Sequence, residues 1–245
     1  MPKPIQVSFV GGDHGPWSVE SLAAIAGPGL KEVARVDMVE GPWPFGLGGI
    51  WLLRGVTSNE RYVERWERDA LVASQAPLGR PEATAAALIA ITKSQEWWDL
   101  AQDERRAILE DRSHHIAIGL DYLPAIARRL AHGRDRQEEF DFLTWFEFAP
   151  SVAGAFDELL GRLRATEEWS YVEREVEIRL RNWADARSSG GTPWLPPMAE
   201  TPVEAEPPTP LGRSDGQRIV RGGDGGTERP RTRRRFRPAG SPPGR

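Results

Sequence analysis

The chain has 245 residues, a net charge of -4 and no cysteine. Without cysteine, disulfides, thiolate metal ligands and cysteine nucleophiles are all excluded. Hydrophobic residues make up 39% of the sequence, which is enough for a folded core. The slightly acidic balance gives no reason to expect that the core binds nucleic acid.

The amino terminus, MPKPIQVSFVGGD, has no basic region followed by an apolar stretch of signal-peptide length. The sequence also contains no run of 18 uninterrupted apolar residues, the length that a membrane span requires. We therefore expect a soluble, cytoplasmic protein that has no membrane partner.

Strand and helix signals alternate along the first 92 residues. The segment NERYVERWERDALVASQ places Tyr62, Trp66 and Ala70 at helical spacing. The alternating or continuous apolar patterns around it predict strands over residues 5–12, 32–40, 48–58 and 83–92, although the alanines of the last segment also allow a helix.

The next 90 residues continue this alternation. Residues 94–123 predict a long helix that is broken near Asp99–Gln102 and ended by Pro124. Residues 151–169 predict an amphipathic helix with Ser151 as its N-cap. Strands are predicted over residues 125–133, 140–149 and 171–180.

The order of these elements predicts the fold class. Strands with one helix before the last of them, followed by helix, strand, strand, helix, strand, are close to a doubled ferredoxin-like α+β unit. We predict antiparallel sheets with helices packed outside, of the dimeric α+β barrel type. Residues 1–92 form the predicted N-terminal repeat, and residues 93–185 form the C-terminal repeat.

Composition changes sharply after Ala186. Proline, glycine and arginine dominate, and 11 arginines against six acidic residues give this segment a net charge of +5. Such a segment cannot bury enough apolar surface to offset its ordering entropy. We predict a disordered tail over residues 186–245, and a solvated basic tail is favoured over one that binds an acidic partner or nucleic acid.

Two adjacent histidines lie in the predicted helix before Pro124. On a helical wheel His115 falls in the apolar arc with Ile108, Gly119 and Tyr122, whereas His114 falls on the polar face. A histidine in an apolar arc is more often a core residue than a ligand. Gly119 favours the interpretation of His115 as a ligand. A glycine inside a helix lowers the stability of the helix by about 1 kcal/mol relative to alanine, so its presence needs a reason. Here it leaves room for a flat molecule beside His115.

Two adjacent arginines lie in the predicted strand after Pro124. Strand alternation places Arg128 between two apolar side chains and Arg129 on the opposite face. A buried guanidinium needs a negative partner. That partner is either a carboxylate, such as Asp141 or Glu147, or an anion bound in a pocket.

Two further segments bear on such a pocket. The alternation of DFLTWFEF places Phe142, Thr144, Phe146 and Phe148 on one face. This face would form a largely apolar wall of the pocket that excludes water. A carboxylate of RATEEW could accept a hydrogen bond from Nδ1 of His115. Spacing alone favours solvent-facing acids near a helix end.

Several of these segments resemble the chlorite dismutase family of haem b proteins. They are ITKSQEWWDL, RSHHIAIGLDYLPAIARRLAHGRD, FDFLTWFEFAP and RATEEWSYVEREVEIRL. In addition, WLLRGVTSNERYV resembles the short, N-terminally abbreviated branch of the family. The resemblance covers about residues 5–182 and none of the tail.

The resemblance implies two ferredoxin-like repeats with haem b in the second. The family's proximal histidine and distal arginine are 13 residues apart, and that interval joins His115 to Arg128, whereas His114 would lead to an alanine. His115 is thus the implied iron ligand, Arg128 the implied catalytic residue, and Glu168 the acid that supports the histidine. The residues implied to bind the cofactor are Asn59, Tyr62, Trp97, Trp98, Leu130, Thr144 and Phe146.

The implied activity is decomposition of chlorite to chloride and dioxygen, through a ferryl species and a hypochlorite that Arg128 retains. Short-branch relatives further imply a homodimer, whereas the longer relatives form pentamers. Three alternatives stay open: a coproheme decarboxylase, a non-enzymatic haem carrier or sensor, and a haem-free barrel that binds another ligand. The first is disfavoured by Arg128, since the decarboxylases of this fold typically lack that arginine.

Overall fold

The computed structural model describes residues 4–42, 48–57 and 62–182. Its eight strands are β1 (Gln6–Gly12), β2 (Trp17–Ala26), β3 (Arg35–Glu40), β4 (Trp51–Val56), β5 (Ala85–Lys93), β6 (Ala127–His132), β7 (Phe142–Phe148) and β8 (Val172–Asn182). They pair antiparallel and close into a barrel in the order β1-β3-β2-β8-β5-β7-β6-β4.

Five α-helices accompany the strands in these ranges. They are α1 (Arg65–Ser74), α2 (Gln95–Asp99), α3 (Gln102–Arg106), α4 (His115–Asp121) and α5 (Ala153–Arg164). A π-helical turn, Ala107–Arg112, precedes α4, and 3-10 turns span Arg134–Arg136, Pro150–Val152 and Glu167–Tyr171. Among the described residues, none of the helices is long and apolar enough to cross a membrane.

Alternate residues of β5 build two separate cores. Leu88 and its inward neighbours pack inside the barrel, where the ring of Trp145 stacks on Phe9 with centroids 5.7 Å apart. Ile89 faces outward and packs against α5, whose Phe156 is fully buried. Because both faces of β5 are covered, its sequence is almost entirely apolar, as in strands buried on both sides.

The predicted α+β class, with an antiparallel sheet and helices outside it, is confirmed. The prediction of three strands before α1 is wrong, because β2 is a fourth. Register irregularities between Val19 and Ser21 and between Ala24 and Ala26 break the alternation of β2. Most of its residues are also half-buried or exposed, so the sequence carries no regular apolar pattern.

The predicted long helix before Pro124 is interrupted twice. The break predicted near Asp99–Gln102 is confirmed, since α2 ends at Asp99 and α3 begins at Gln102. A second interruption, not predicted, lies at His114, which has a left-handed φ of 53°. A continuous helical wheel from Ile108 to His115 is therefore wrong, because His115 begins a new helix.

The predicted N-cap at Ser151 is also wrong. Helix α5 begins at Ala153 with Val152 as its cap residue, after a 3-10 turn that starts at Pro150. The helix also ends earlier than predicted, at Arg164, the first residue of RATEEW. The hydroxyl of Thr166 donates to the carbonyl oxygen of Leu163 at 2.7 Å, and the chain then enters a separate 3-10 turn.

Two predictions concern residues that the structure does not describe. Asn59 and the predicted tail, residues 186–245, lie outside the described ranges. The division into repeats at residues 92 and 93 stays a prediction.

Candidate active site

A cleft separates the outer face of β5, β7 and β6 from the helices, and its empty space, including the part that is open to solvent, is about 1250 Å³. Most of its walls are apolar. The site residues predicted from the sequence that line it are Tyr62, Trp97, His115, Arg128, Leu130, Thr144, Phe146 and Glu168.

His115 and Glu168 form the polar contact on the helix side of the cleft. Nδ1 of His115 lies 2.6 Å from Oε2 of Glu168. Burial alone would raise the pKa of Glu168, but the neighbouring His115 and Lys93 lower the pKa to about 2. An ionised carboxylate only accepts hydrogen bonds, so Nδ1 donates. In the neutral ring, Nε2 then carries the lone pair that a metal ligand needs.

Glu168 is buried, with 4% of its surface exposed. The interpretation of the RATEEW acids as solvent-facing is therefore wrong for Glu168. Glu167, its neighbour, is exposed and forms a surface ion pair with Arg112. The two acids differ because the 3-10 turn directs successive side chains to different sides.

Lys93 completes the buried group and was missed by the sequence analysis. Its Nζ lies 2.7 Å from Oε1 of Glu168 and 2.9 Å from the backbone oxygen of the same residue. The same Nζ lies over the rings of Trp97 and Trp169. Burial lowers the pKa of Lys93, and the charge of Glu168 opposes that shift. The signal available in the sequence was a lysine directly after the predicted buried strand of residues 83–92.

Arg128 approaches the cleft from the sheet side. In the register of β6 and β7, Arg128 is opposite Phe146 and Leu130 is opposite Thr144, so these side chains share the outer face. Nη1 of Arg128 lies 3.9 Å from the position that a Cβ atom of Gly119 would occupy. The guanidinium thus reaches across the cleft to α4, the helix that His115 begins.

Both carboxylates considered as partners for Arg128 bind other groups. Asp141 accepts hydrogen bonds from the backbone N–H of Lys93 at 2.8 Å and from Trp98 Nε1 at 3.1 Å. Glu147 accepts from the backbone N–H of Gly79 at 2.6 Å and from Trp145 Nε1 at 2.9 Å.

The adjacent histidine and arginine lie elsewhere. His114 is exposed to solvent. Arg129, on the other face of β6, forms an ion pair with Glu40.

Comparison with known proteins places this chain in a family. The family model described as chlorite dismutase matches residues 49–182. The crystal structure of dimeric chlorite dismutases from Nitrobacter winogradskyi is 57% identical, with a TM-score of 0.67 over 72% of this chain and 99% of that chain. The chain belongs to the chlorite dismutase family. The prediction of an enzyme of this type is confirmed with it.

More distant members share the fold. A variant of the chlorite dismutase from Candidatus Nitrospira defluvii in complex with cyanide is 20% identical, with a TM-score of 0.50 over 74% of this chain and 92% of that chain. The same protein in complex with imidazole is 19% identical, with the same TM-score over 76% and 94% of the two chains. At this identity the likeness concerns the fold alone.

The tryptophan pair of this chlorite dismutase family member divides between two roles. Trp97 lines the cleft, and its buried Nε1 has no hydrogen-bond partner among the described residues. Trp98 does not line the cleft; it stacks on Phe142, with ring centroids 6.0 Å apart, and donates to Asp141. Tyr62 lies edge-on to Trp97, and its hydroxyl accepts a hydrogen bond from Arg105 at 2.8 Å.

Proposed function

We propose that this protein is a haem b-dependent chlorite dismutase that converts chlorite to chloride and dioxygen. One observation carries the proposal. A single cleft holds an imidazole whose Nδ1 is engaged by Glu168 and, from the opposite wall, the guanidinium of Arg128. The first group suits a metal ligand, and the second suits a small oxyanion.

The residues of the cleft fit a haem group. Within the described ranges no three His, Cys, Asp or Glu side chains cluster as a metal site. A porphyrin brings four nitrogen ligands of its own, so one histidine completes the attachment. Gly119 leaves open space one turn from His115, where a side chain would narrow the cleft. Trp97 Nε1 is a buried donor available to a polar group of the cofactor.

The residues on the helix side would hold and tune the ligand. Glu168 keeps the proton on Nδ1 of His115, fixes the ring orientation and makes Nε2 a stronger electron-pair donor to the iron. When bound, haem supplies the iron centre at which chlorite loses oxygen. Lys93 holds Glu168 in place through its hydrogen bond to Oε1.

The residues on the sheet side would hold the substrate. Arg128 supplies a positive charge to chlorite and to the oxyanion that remains after oxygen is lost. Leu130, Thr144 and Phe146 form a largely apolar wall around it. In such a poorly hydrated site the attraction between the guanidinium and an anion is much stronger than in water.

We also propose that the protein is a homodimer. The support is the 57% identical relative from Nitrobacter winogradskyi, which is described as dimeric and is covered almost completely. Size-exclusion chromatography with light scattering tests this, since a molecular mass of one chain in solution would contradict it.

Haem reconstitution of the full chain, followed by an oxygen-electrode trace on adding chlorite, tests the activity. We expect a Soret band and one dioxygen for each chlorite consumed. A Soret band without release of oxygen would indicate a non-enzymatic haem protein. Absence of the Soret band would indicate that the cleft binds another ligand. In a parallel sample with coproheme and peroxide, formation of haem b would identify a decarboxylase instead.

A further inference from the structure

The helix that begins with His115 has an unusual start. His114 occupies the N-cap position with a left-handed backbone, and no side chain at that position caps the helix. The carboxylate of Glu110, from the preceding π-helical turn, takes this role. Its Oε2 accepts from the backbone N–H of Ile116 at 2.6 Å, and its Oε1 accepts from that of Ala117 at 3.2 Å.

The burial of Glu110 makes this contact consequential. Only 8% of the residue is exposed, so its carboxylate depends on protein donors. The positive end of the α4 dipole and two N–H groups that would otherwise lack partners provide them. A backbone hydrogen bond also links Glu110 to the residue before the helix, because the N–H of His114 donates to the carbonyl oxygen of Glu110 at 2.9 Å.

The same turn also holds the partner of the His115 ring. Oγ of Ser113, which is 3% exposed, accepts from the backbone N–H of Glu168 at 2.9 Å. Residues 110–113 therefore fix the first turn of α4 and the backbone of Glu168 together. The backbones of His115 and of Glu168 are therefore both held in place, and together they set the distance between the imidazole and the carboxylate.

We propose that Glu110 is a positioning residue that aims Nε2 of His115 into the cleft. It acts through the backbone of Ile116 and Ala117 and contributes no atom to the reaction. Glu168 sets the rotation and basicity of the ring, whereas Glu110 sets the position of the backbone that carries it. This inference rests on the proposed function, in which His115 binds the haem iron.

Glu110→Gln tests the role, and Glu147→Gln is the matched control. Both residues are buried, and both accept a hydrogen bond from a backbone N–H. Glu147, however, lies inside the barrel and binds Gly79 and Trp145. Each substitution removes one buried charge without removing volume.

The first measurement uses the full chain without haem. Hydrogen exchange of residues 115–118 should become about tenfold faster in Glu110→Gln, as expected when a helix cap is lost, and should not change in Glu147→Gln. The second uses the haem-loaded ferrous protein. The iron–histidine stretching band in resonance Raman spectra should broaden or split, and haem should dissociate about tenfold faster, only in Glu110→Gln.

Unchanged exchange in Glu110→Gln, or equal changes in both variants, would overturn the role of Glu110. An iron–histidine band in Glu110→Gln with the position and width of the wild-type band would overturn it as well. Failure of the proposed function is recognised separately, because the wild-type chain would then show no Soret band with haem.

Discussion

Nδ1 of His115 lies 2.6 Å from Oε2 of Glu168, and that carboxylate is buried and ionised. The contact fixes the ring in one orientation and assigns the proton to Nδ1. The helix-side wall of the cleft therefore carries an imidazole with one committed nitrogen and one nitrogen free to bind. This asymmetry separates His115 from the exposed His114 beside it.

Replacing His115 with alanine should abolish haem loading, because the cleft then loses its proposed iron ligand. His114→Asn is the matched control, since asparagine tolerates the left-handed backbone of that position. Haem titration followed by the Soret band measures both variants. Normal ferric spectra in His115→Ala would remove His115 from the proposed site.

The Lys93–Glu168 pair should show strong energetic coupling, because the two side chains are 3% and 5% exposed. Glu168→Gln leaves a buried cation, and Lys93→Met leaves a buried anion. Each should lower the free energy of unfolding by about 3 kcal/mol. The double variant should lose clearly less than the sum, as urea unfolding of the haem-free chain would show. Strict additivity would mean that the pair contributes nothing as a pair.

Arg128→Ala should bind haem but lower kcat/KM for chlorite by about a hundredfold, because the cleft loses its charge toward the oxyanion. Arg129→Ala, on the other face of β6, should retain most of the activity. Oxygen release from equal haem-loaded samples measures the difference. Wild-type turnover in Arg128→Ala would contradict the role proposed for Arg128.

Strand alternation was enough to predict the sheet side of the cleft. β6 and β7 pair without irregularity from Ala127 to His132, so each step of two residues keeps its face. Arg128 and Leu130 could therefore be assigned to the cleft side from the sequence alone. The same logic failed for β2, where register irregularities disturb the period of two.

The helix side could not be predicted in the same way. The π-helical turn and the left-handed His114 are held by Glu110 and by a contact between Ser113 and Glu168, 55 residues apart. Lys93 was missed for a similar reason, since its partner lies 75 residues away. Local periodicity contains no information on such contacts.

We expect acid to destabilise the protein through Glu177, which lies on the outer face of β8. Burial raises the pKa of Glu177, but hydrogen bonds and charges from Arg164 and Arg179 prevail, so the folded pKa lies below the ordinary 4.5. The stabilisation by Glu177 is thus fully present above about pH 4.5 and is lost as the pH falls through the lowered pKa.

The wild-type urea midpoint should therefore decline as the pH falls below about 4.5, and the midpoint of Glu177→Gln should decline less over the same range. Other carboxylates titrate in this range in both proteins, so the difference between the two curves isolates Glu177. Parallel curves would show that Glu177 has the same pKa in the folded and unfolded chains.

Gly119 provides the sharpest test of whether the cleft holds a flat cofactor. A Cβ atom there would meet only Nη1 of Arg128, at 3.9 Å, so no packing contact requires glycine. Gly119→Ala should stabilise the haem-free protein by about 1 kcal/mol, because alanine favours the helix. Gly119→Leu should fold but fail to take up haem, since its side chain would fill the space beside His115.

Gly161→Leu is the matched control for this change. Gly161 is also a helical glycine, but it lies exposed on α5 with nothing within 4 Å of its Cβ position. This variant should load haem as the wild type does, so a loss confined to Gly119→Leu places the cofactor against α4. Normal haem uptake by Gly119→Leu would instead mean that the space beside His115 serves another purpose, because a leucine side chain and a porphyrin cannot occupy it together.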